Sequence, residues 1–136
     1  MSEPAAREEV EIRTLIEDWA KAVRDKDIDK VVAHHANDMV MFDVPPPVIV
    51  RGIDAYRETW PQFFKWKKDV DGLFEITSLE VTAGDDVAFA TALLRCASKA
   101  ELGKDDTPRL RLTVGLRKDG DAWKIAHEHH SFPTTE

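Results

Sequence analysis

Apolar residues at Ile12, Leu15, Ile16, Trp19 and Val23 recur at intervals of three and four, the spacing that lines one stripe of an α-helix. The stripe predicts a first helix from about Pro4 to Asp25, with Pro4 near its first turn. Asp27 is placed to cap a shorter second helix through Val31 and Val32, ending near Ala36 and Asn37. Met39 to Asp43 alternates weakly and reads as a short strand. The strand stops at Pro45-Pro46-Pro47, where missing amide donors forbid a ladder. Gly52 opens a third helical stretch in which Ile53, Tyr56, Trp60 and Phe63 or Phe64 share a face. Pro61 is expected to kink or restart that helix, because it removes an internal hydrogen bond.

From Leu73 onward the period changes from helical to twofold. Phe74 to Thr82, Val87 to Ala97, Leu110 to Arg117 and Trp123 to Ser131 are four strand-like runs. Gly84-Asp85-Asp86 and Asp119-Gly120-Asp121 read as hairpin turns between them, and 103–108 as a polar loop. Helices first and an antiparallel meander afterwards predict an α+β fold in a single domain spanning 1–136.

The last two strands can be registered against each other. With the turn at 119–122, residues whose numbers sum to about 241 lie opposite, pairing Leu116 with Ile125, Val114 with His127 and Leu112 with His129. Leu110, Leu112, Val114, Leu116, Trp123 and Ile125 are apolar, so their face is the one the helices cover. In this register His127 and His129 extend the buried row, while Lys124, Glu128 and His130 turn to the other side. Along 87–97 neither alternate row is clearly polar, which predicts cover on both faces: helices on one, a second subunit on the other. Arg95, Arg109 and Arg111 belong to the face away from the helices.

Composition changes this picture only by exclusion. The chain has 136 residues, 43% hydrophobic and 33% charged, the balance of an ordinary globular protein. No apolar run approaches the roughly 18 residues of a spanning helix, and the first residues are acidic where a secretory signal is basic and then apolar, so the expectation is a cytoplasmic protein with no membrane contact. A formal charge of −7 without a long basic cluster argues against nucleic acid. The lone Cys96 cannot form an intramolecular disulfide and reads as a small buried hydrophobe. His34 and His35 end a short helix and read as surface or cavity mouth.

The order of elements, the segment DMVMFDVPPPVIVRGIDAYRETW at 38–60 and the ending GLRKDGDAWKIAHEHHSFP at 115–133 resemble the SnoaL-like branch of the nuclear transport factor 2-like superfamily, which includes ketosteroid isomerases. The resemblance implies a cone, with helices packed in the concave side of a curved antiparallel sheet around an apolar cavity, and a sheet-to-sheet homodimer. It identifies fold better than function, because one cone serves enzymes, binding proteins and assembly domains. In the ketosteroid isomerases an aspartate followed by proline acts as general base, and Asp43 falls on that position. Those enzymes also need a tyrosine and a neutral aspartic acid as hydrogen-bond donors to the enolate oxygen. Trp19 and Val114 stand at the corresponding places, and valine donates nothing, so steroid isomerisation as such does not carry over.

The candidate catalytic set is therefore Asp43, His127 and His129, with Trp19, Trp60, Phe63, Trp66, Leu112 and Val114 as ligand-binding candidates. A carboxylate in an apolar pocket is pushed towards useful general-base values, and imidazole titrates near neutrality unaided. Such a pair suits an isomerase, cyclase or dehydratase acting without a cofactor on a hydrophobic carbonyl or polyketide-like compound. Four alternatives stay open. Asp43 caps the backbone of its own turn; the domain binds a ligand or associates without catalysis; His127 and His129 make structural hydrogen bonds inside the core; or, at i and i+2 on one strand face, they form two corners of a metal site completed by Asp43.

Overall fold

A computed structural model describes the backbone of residues 3–70, 73–97 and 109–133, and the side chains of 6–65, 74–95 and 109–133. The elements are α1 (Glu3–Arg24), α2 (Ile28–Val32), β1 (His35–Phe42), β2 (Val50–Arg51), α3 (Ile53–Val70), β3 (Leu73–Ala83), β4 (Val87–Ala97), β5 (Arg109–Asp119) and β6 (Ala122–Ser131). The strands form one curved six-stranded sheet in the order β2-β1-β6-β5-β4-β3. All neighbouring pairs are antiparallel except β1 with β6, which run parallel. The fold is α+β.

The helical stripe of α1 is the first wall of the core. Ile12, Ile16 and Val23 are fully buried, and Leu15 and Trp19 nearly so. Burial of each such side chain contributes about 1.5–3 kcal/mol. Asp27 caps α2 by accepting the Lys30 amide at 3.3 Å. That helix is shorter than the expected extent to Ala36 and Asn37: it ends at Val32, and β1 already starts at His35. His35 is buried, not on the surface, because it pairs with Ile125 of β6 while the adjacent His34 carbonyl accepts the Ile125 amide at 2.7 Å. Of the kink or restart expected at Pro61, the restart does not occur: α3 runs through Pro61 as one element. Gly52 precedes it at φ +88, a conformation only glycine adopts readily, and its amide reaches the Met39 carbonyl at 2.7 Å. This corner ties α3 to β1 and sends Tyr56, fully buried, into the core.

Ala90, Ala92 and Leu94 of β4 and Leu110, Leu112, Val114 and Leu116 of β5 form the buried side of the sheet, with Trp123 and Ile125 of β6. This is the expected helix-covered face. The opposite face exposes Val87, Phe89 and Leu93 of β4, together with Phe42 of β1. Arg109 and Arg111 lie there too, exposed.

The register of the final hairpin departs from the expected one. Leu116 pairs with Ile125, but Gly115 pairs with His127, Val114 with Glu128, Thr113 with His129 and Leu112 with His130. One extra residue, Ala126, is accommodated in β6, so the pairing sum rises from 241 to 242 beyond that point. Because side chains alternate with period two, one inserted residue reverses every side chain that follows. Glu128 and His130 continue the buried row, and His127 and His129 lie on the outer face. Gly115 stands opposite the bulge, where an added Cβ would come within 3.3 Å of the His127 Cβ. A glycine there lets the two backbones close up.

Candidate active site

The bulge delivers a carboxylate to the middle of the core. Glu128 is 1% exposed, and its charge is met by three donors from three elements. His130 Nε2, two residues along β6, lies 2.8 Å from Oε1; the Tyr56 hydroxyl of α3 donates to Oε2 at 2.7 Å; and His35 Nε2 of β1 also contacts Oε2. Tyr56 in turn accepts from Trp19 Nε1 of α1 at 3.0 Å, and its ring stacks on His35 at 4.5 Å. Burial alone would push the Glu128 carboxyl up, but the hydrogen bonds from His130 and His35 and the positive charge beside it reverse this and hold it far below the ordinary carboxylate range. Burial would likewise lower His130; its hydrogen bond to Glu128, the Glu128 charge and the Asp43 charge together raise it. Tyr56 is pushed well above an ordinary phenol by burial and then by the Glu128 charge, so it stays a neutral donor.

His130 is the link between this network and a cavity of about 560 Å³. The wall is mostly apolar, with Trp60, Phe63, Phe74, Leu110 and Phe132 prominent, and the residues of the triple proline close one side. Asp43 lines it beside His130, its Oδ1 3.6 Å from His130 Nδ1. That separation is too long for a hydrogen bond, so the pair faces the cavity without closing on itself. Asp43 also accepts the Val44 amide at 2.8 Å. Its side chain is 22% exposed, against 6% for His130. Turn-capping and cavity-facing roles thus coexist on one carboxylate.

Other candidates are placed as follows. Trp60 and Phe63 line the cavity. Trp19, Leu112 and Val114 are core residues, and the cavity wall does not include them. The side chain of Trp66, like that of Cys96, lies outside the described residues. His127 donates from Nδ1 to the Val40 carbonyl at 2.7 Å, which fixes it against β1 on the outer face, and His129 packs edge-on to Phe42. The expected constellation of Asp43 with His127 and His129 is therefore not assembled, because the bulge sends the histidines to the opposite side of the sheet from Asp43. The same reversal disperses the three-ligand metal site, and no group of three or more ligating side chains suited to an ion occurs among the described residues. His130, Glu128, His35 and Tyr56 were missed. The signal that could have found them is Gly115, since an isolated glycine inside a strand marks a bulge.

The family model described as a SnoaL-like domain matches residues 12–135. The chain belongs to the SnoaL-like domain family. Among solved structures, this SnoaL-like domain is similar to a nuclear transport factor 2-like protein of unknown function from Pseudomonas putida KT2440, with 38% identity over 94% of this chain and 88% of that one and a TM-score of 0.83. A nuclear transport factor 2-like protein with a cystatin-like fold from Novosphingobium aromaticivorans shares the fold at 15% identity, with a TM-score of 0.75 over 93% of this chain and 82% of that one. A candidate ketosteroid isomerase from Parabacteroides distasonis does so at 21% identity, with a TM-score of 0.65 over 90% and 86%. No curated protein matches the sequence.

Proposed function

We propose that the protein is a cofactor-independent acid–base catalyst acting on a small apolar carbonyl compound bound in the cavity, with Asp43 as general base and His130 as general acid. The observation that carries this reading is the pair itself: a carboxylate and an imidazole 3.6 Å apart, side by side on the wall of a mostly apolar cavity. Geometry comes first in choosing acid and base, and both groups are within reach of one bound molecule. In the step proposed, Asp43 takes the proton from the carbon next to a carbonyl. The C–H electron pair becomes the enol double bond, and the carbonyl oxygen takes the proton from His130 Nδ1. Return of the proton from Asp43 to another carbon, with the enol O–H proton going back to His130, isomerises the substrate; if instead a neighbouring hydroxyl leaves as water with the proton from Asp43 while the enol O–H proton returns to His130, the substrate is dehydrated.

The chemistry can be tested without the natural substrate. Deuterium incorporation from D2O at the α-carbon of 2-tetralone, followed by NMR, reports enolisation directly. The protein is expected to accelerate it, and Asp43→Asn to lower the accelerated rate by about 100-fold or more, the lower end of general-base contributions. Binding of the ketone without exchange would refute catalysis and favour the binding-domain reading.

Association belongs to the same proposal. Val87, Phe89 and Leu93 are 62%, 52% and 36% exposed on one strand face, a patch suited to a second copy of the chain. Sedimentation is expected to give a dimer at micromolar concentration, and Phe89→Asp a monomer; a monomeric parent protein would remove this part. The proposed location is the cytoplasm, and no helix among the described residues is long and apolar enough to cross a membrane.

A further inference from the structure

We propose that Glu128 is a positioning residue for this chemistry: buried behind His130, it binds Nε2–H and leaves Nδ1–H presented to the cavity, so that the imidazolium of His130 is the site's proton donor. The catalytic consequence rests on the acid–base reading above; the charge assignment does not. The argument starts from charge balance. A carboxylate 1% exposed in an apolar core persists only with a compensating cation and satisfied oxygens. Two imidazoles touch it, and either could carry that cation.

The hydrogen-bond inventory separates them. His35 uses Nε2 on Glu128, while its Nδ1 is buried without a hydrogen-bond partner among the described residues. A protonated His35 would bury an unsatisfied, charged N–H; the neutral ring with its proton on Nε2 leaves only an unfilled acceptor, the cheaper omission. Tyr56 is a neutral donor whose own oxygen is already filled by Trp19 Nε1. His130 remains. Its Nε2 faces Glu128 and its Nδ1 faces Asp43, so both N–H groups of the cation point at carboxylates. Trp19 approaches the same ring edge-on at 6.3 Å without adding charge. The cavity's other charged lining residues, Arg51 and Glu58, are both exposed and of opposite sign. The site thus holds a fixed imidazolium beside a carboxylate that stays free to act as base.

Glu128 does not itself line the cavity, so its effect must pass through His130. Ring-nitrogen NMR on the full chain tests the assignment without any substrate. At pH 7 His130 is expected to show both nitrogens protonated and His35 a proton on Nε2 alone; a neutral His130, or a cationic His35, overturns the proposal. In Glu128→Gln, which keeps the shape and removes the charge, His130 is expected to bind its proton about tenfold more weakly or less tightly still, because an opposite charge in contact has been lost. The alkaline limb of the 2-tetralone exchange profile then moves to lower pH, whereas a purely structural role would lower the rate at all pH values alike. An unchanged His130 titration in a folded Glu128→Gln protein sinks the proposal, and if that variant does not fold the wild-type ring states decide alone. Expected ring states with no exchange in any ketone would leave the charge assignment standing and remove the catalytic reading; exchange whose pH profile survives Glu128→Gln would leave the catalytic reading standing and overturn the positioning role of Glu128.

Discussion

Replacing Tyr56 with phenylalanine removes one oxygen from the core and leaves the ring in place. The stack on His35 and the edge contact with Trp60 at 5.9 Å survive, so no cavity opens. Two interactions are lost. The hydroxyl no longer donates to Glu128 at 2.7 Å, a hydrogen bond to a buried charge worth about 1.5–3 kcal/mol. Trp19 Nε1, which donated to that hydroxyl at 3.0 Å, is left buried without an acceptor at a cost of about 1–3 kcal/mol. The two share an atom and are not fully additive, so the expected loss is about 2–4 kcal/mol, a large part of the roughly 5–15 kcal/mol that holds a domain folded. For a chain of this length that corresponds to a fall in Tm of about 10 °C. Urea denaturation followed by tryptophan fluorescence, with circular dichroism as second probe, measures it. A loss under about 0.5 kcal/mol, the size expected of an indifferent surface change, would refute the claim that Tyr56 and Trp19 support a buried ionised Glu128.

Three further outcomes are expected. The Glu128 carboxyl is depressed below its ordinary 4.5, so its contribution is present above that value and lost as pH falls further; His130 is raised above its ordinary 6.5, so its contribution is complete below that value and lost as pH rises through the folded titration. Stability from this pair therefore peaks between pH 4.5 and 6.5, and a flat urea midpoint from pH 5 to 8 in the parent protein would contradict it. Gly115→Val drives a side chain against the His127 Cβ, 3.3 Å from the added Cβ, and is expected to cost about 1–3 kcal/mol by overpacking, read from the shift in urea midpoint. His129→Ala leaves 2-tetralone exchange within about twofold, since that ring lies on the outer face, whereas His130→Ala lowers exchange by about 100-fold; equal effects from the two would restore the unbulged register.

Most of the architecture was legible because each element carries its own local signal. The stripe from Ile12 to Val23, the Asp27 cap and the alternation of β3 to β6 with polar turns at 84–86 and 119–121 are all short-range patterns that survive whatever the helices later pack against. The apolar row of β5 likewise specified its buried side unaided. The limits of α2 and β1 were not readable, because His35 is in a strand only by pairing with Ile125, ninety residues away in sequence.

The site divides along the same line. The sequence by itself determined that an aspartate stands before a proline run, that Trp60 and Phe63 share a helical face, and that polar residues interrupt the end of an apolar strand. It could not choose between His127 with His129 and Glu128 with His130, since both alternate sets in AHEHHSF are polar and hydrophobicity carries no preference between them. Tertiary structure made that choice. A carboxylate can be buried only where donors converge, and those donors come from α3, from β1 and, through Tyr56, from α1, elements that no local pattern brings together. One extra residue at Ala126, opposite a glycine that permits it, sets the phase that lets Glu128 meet them.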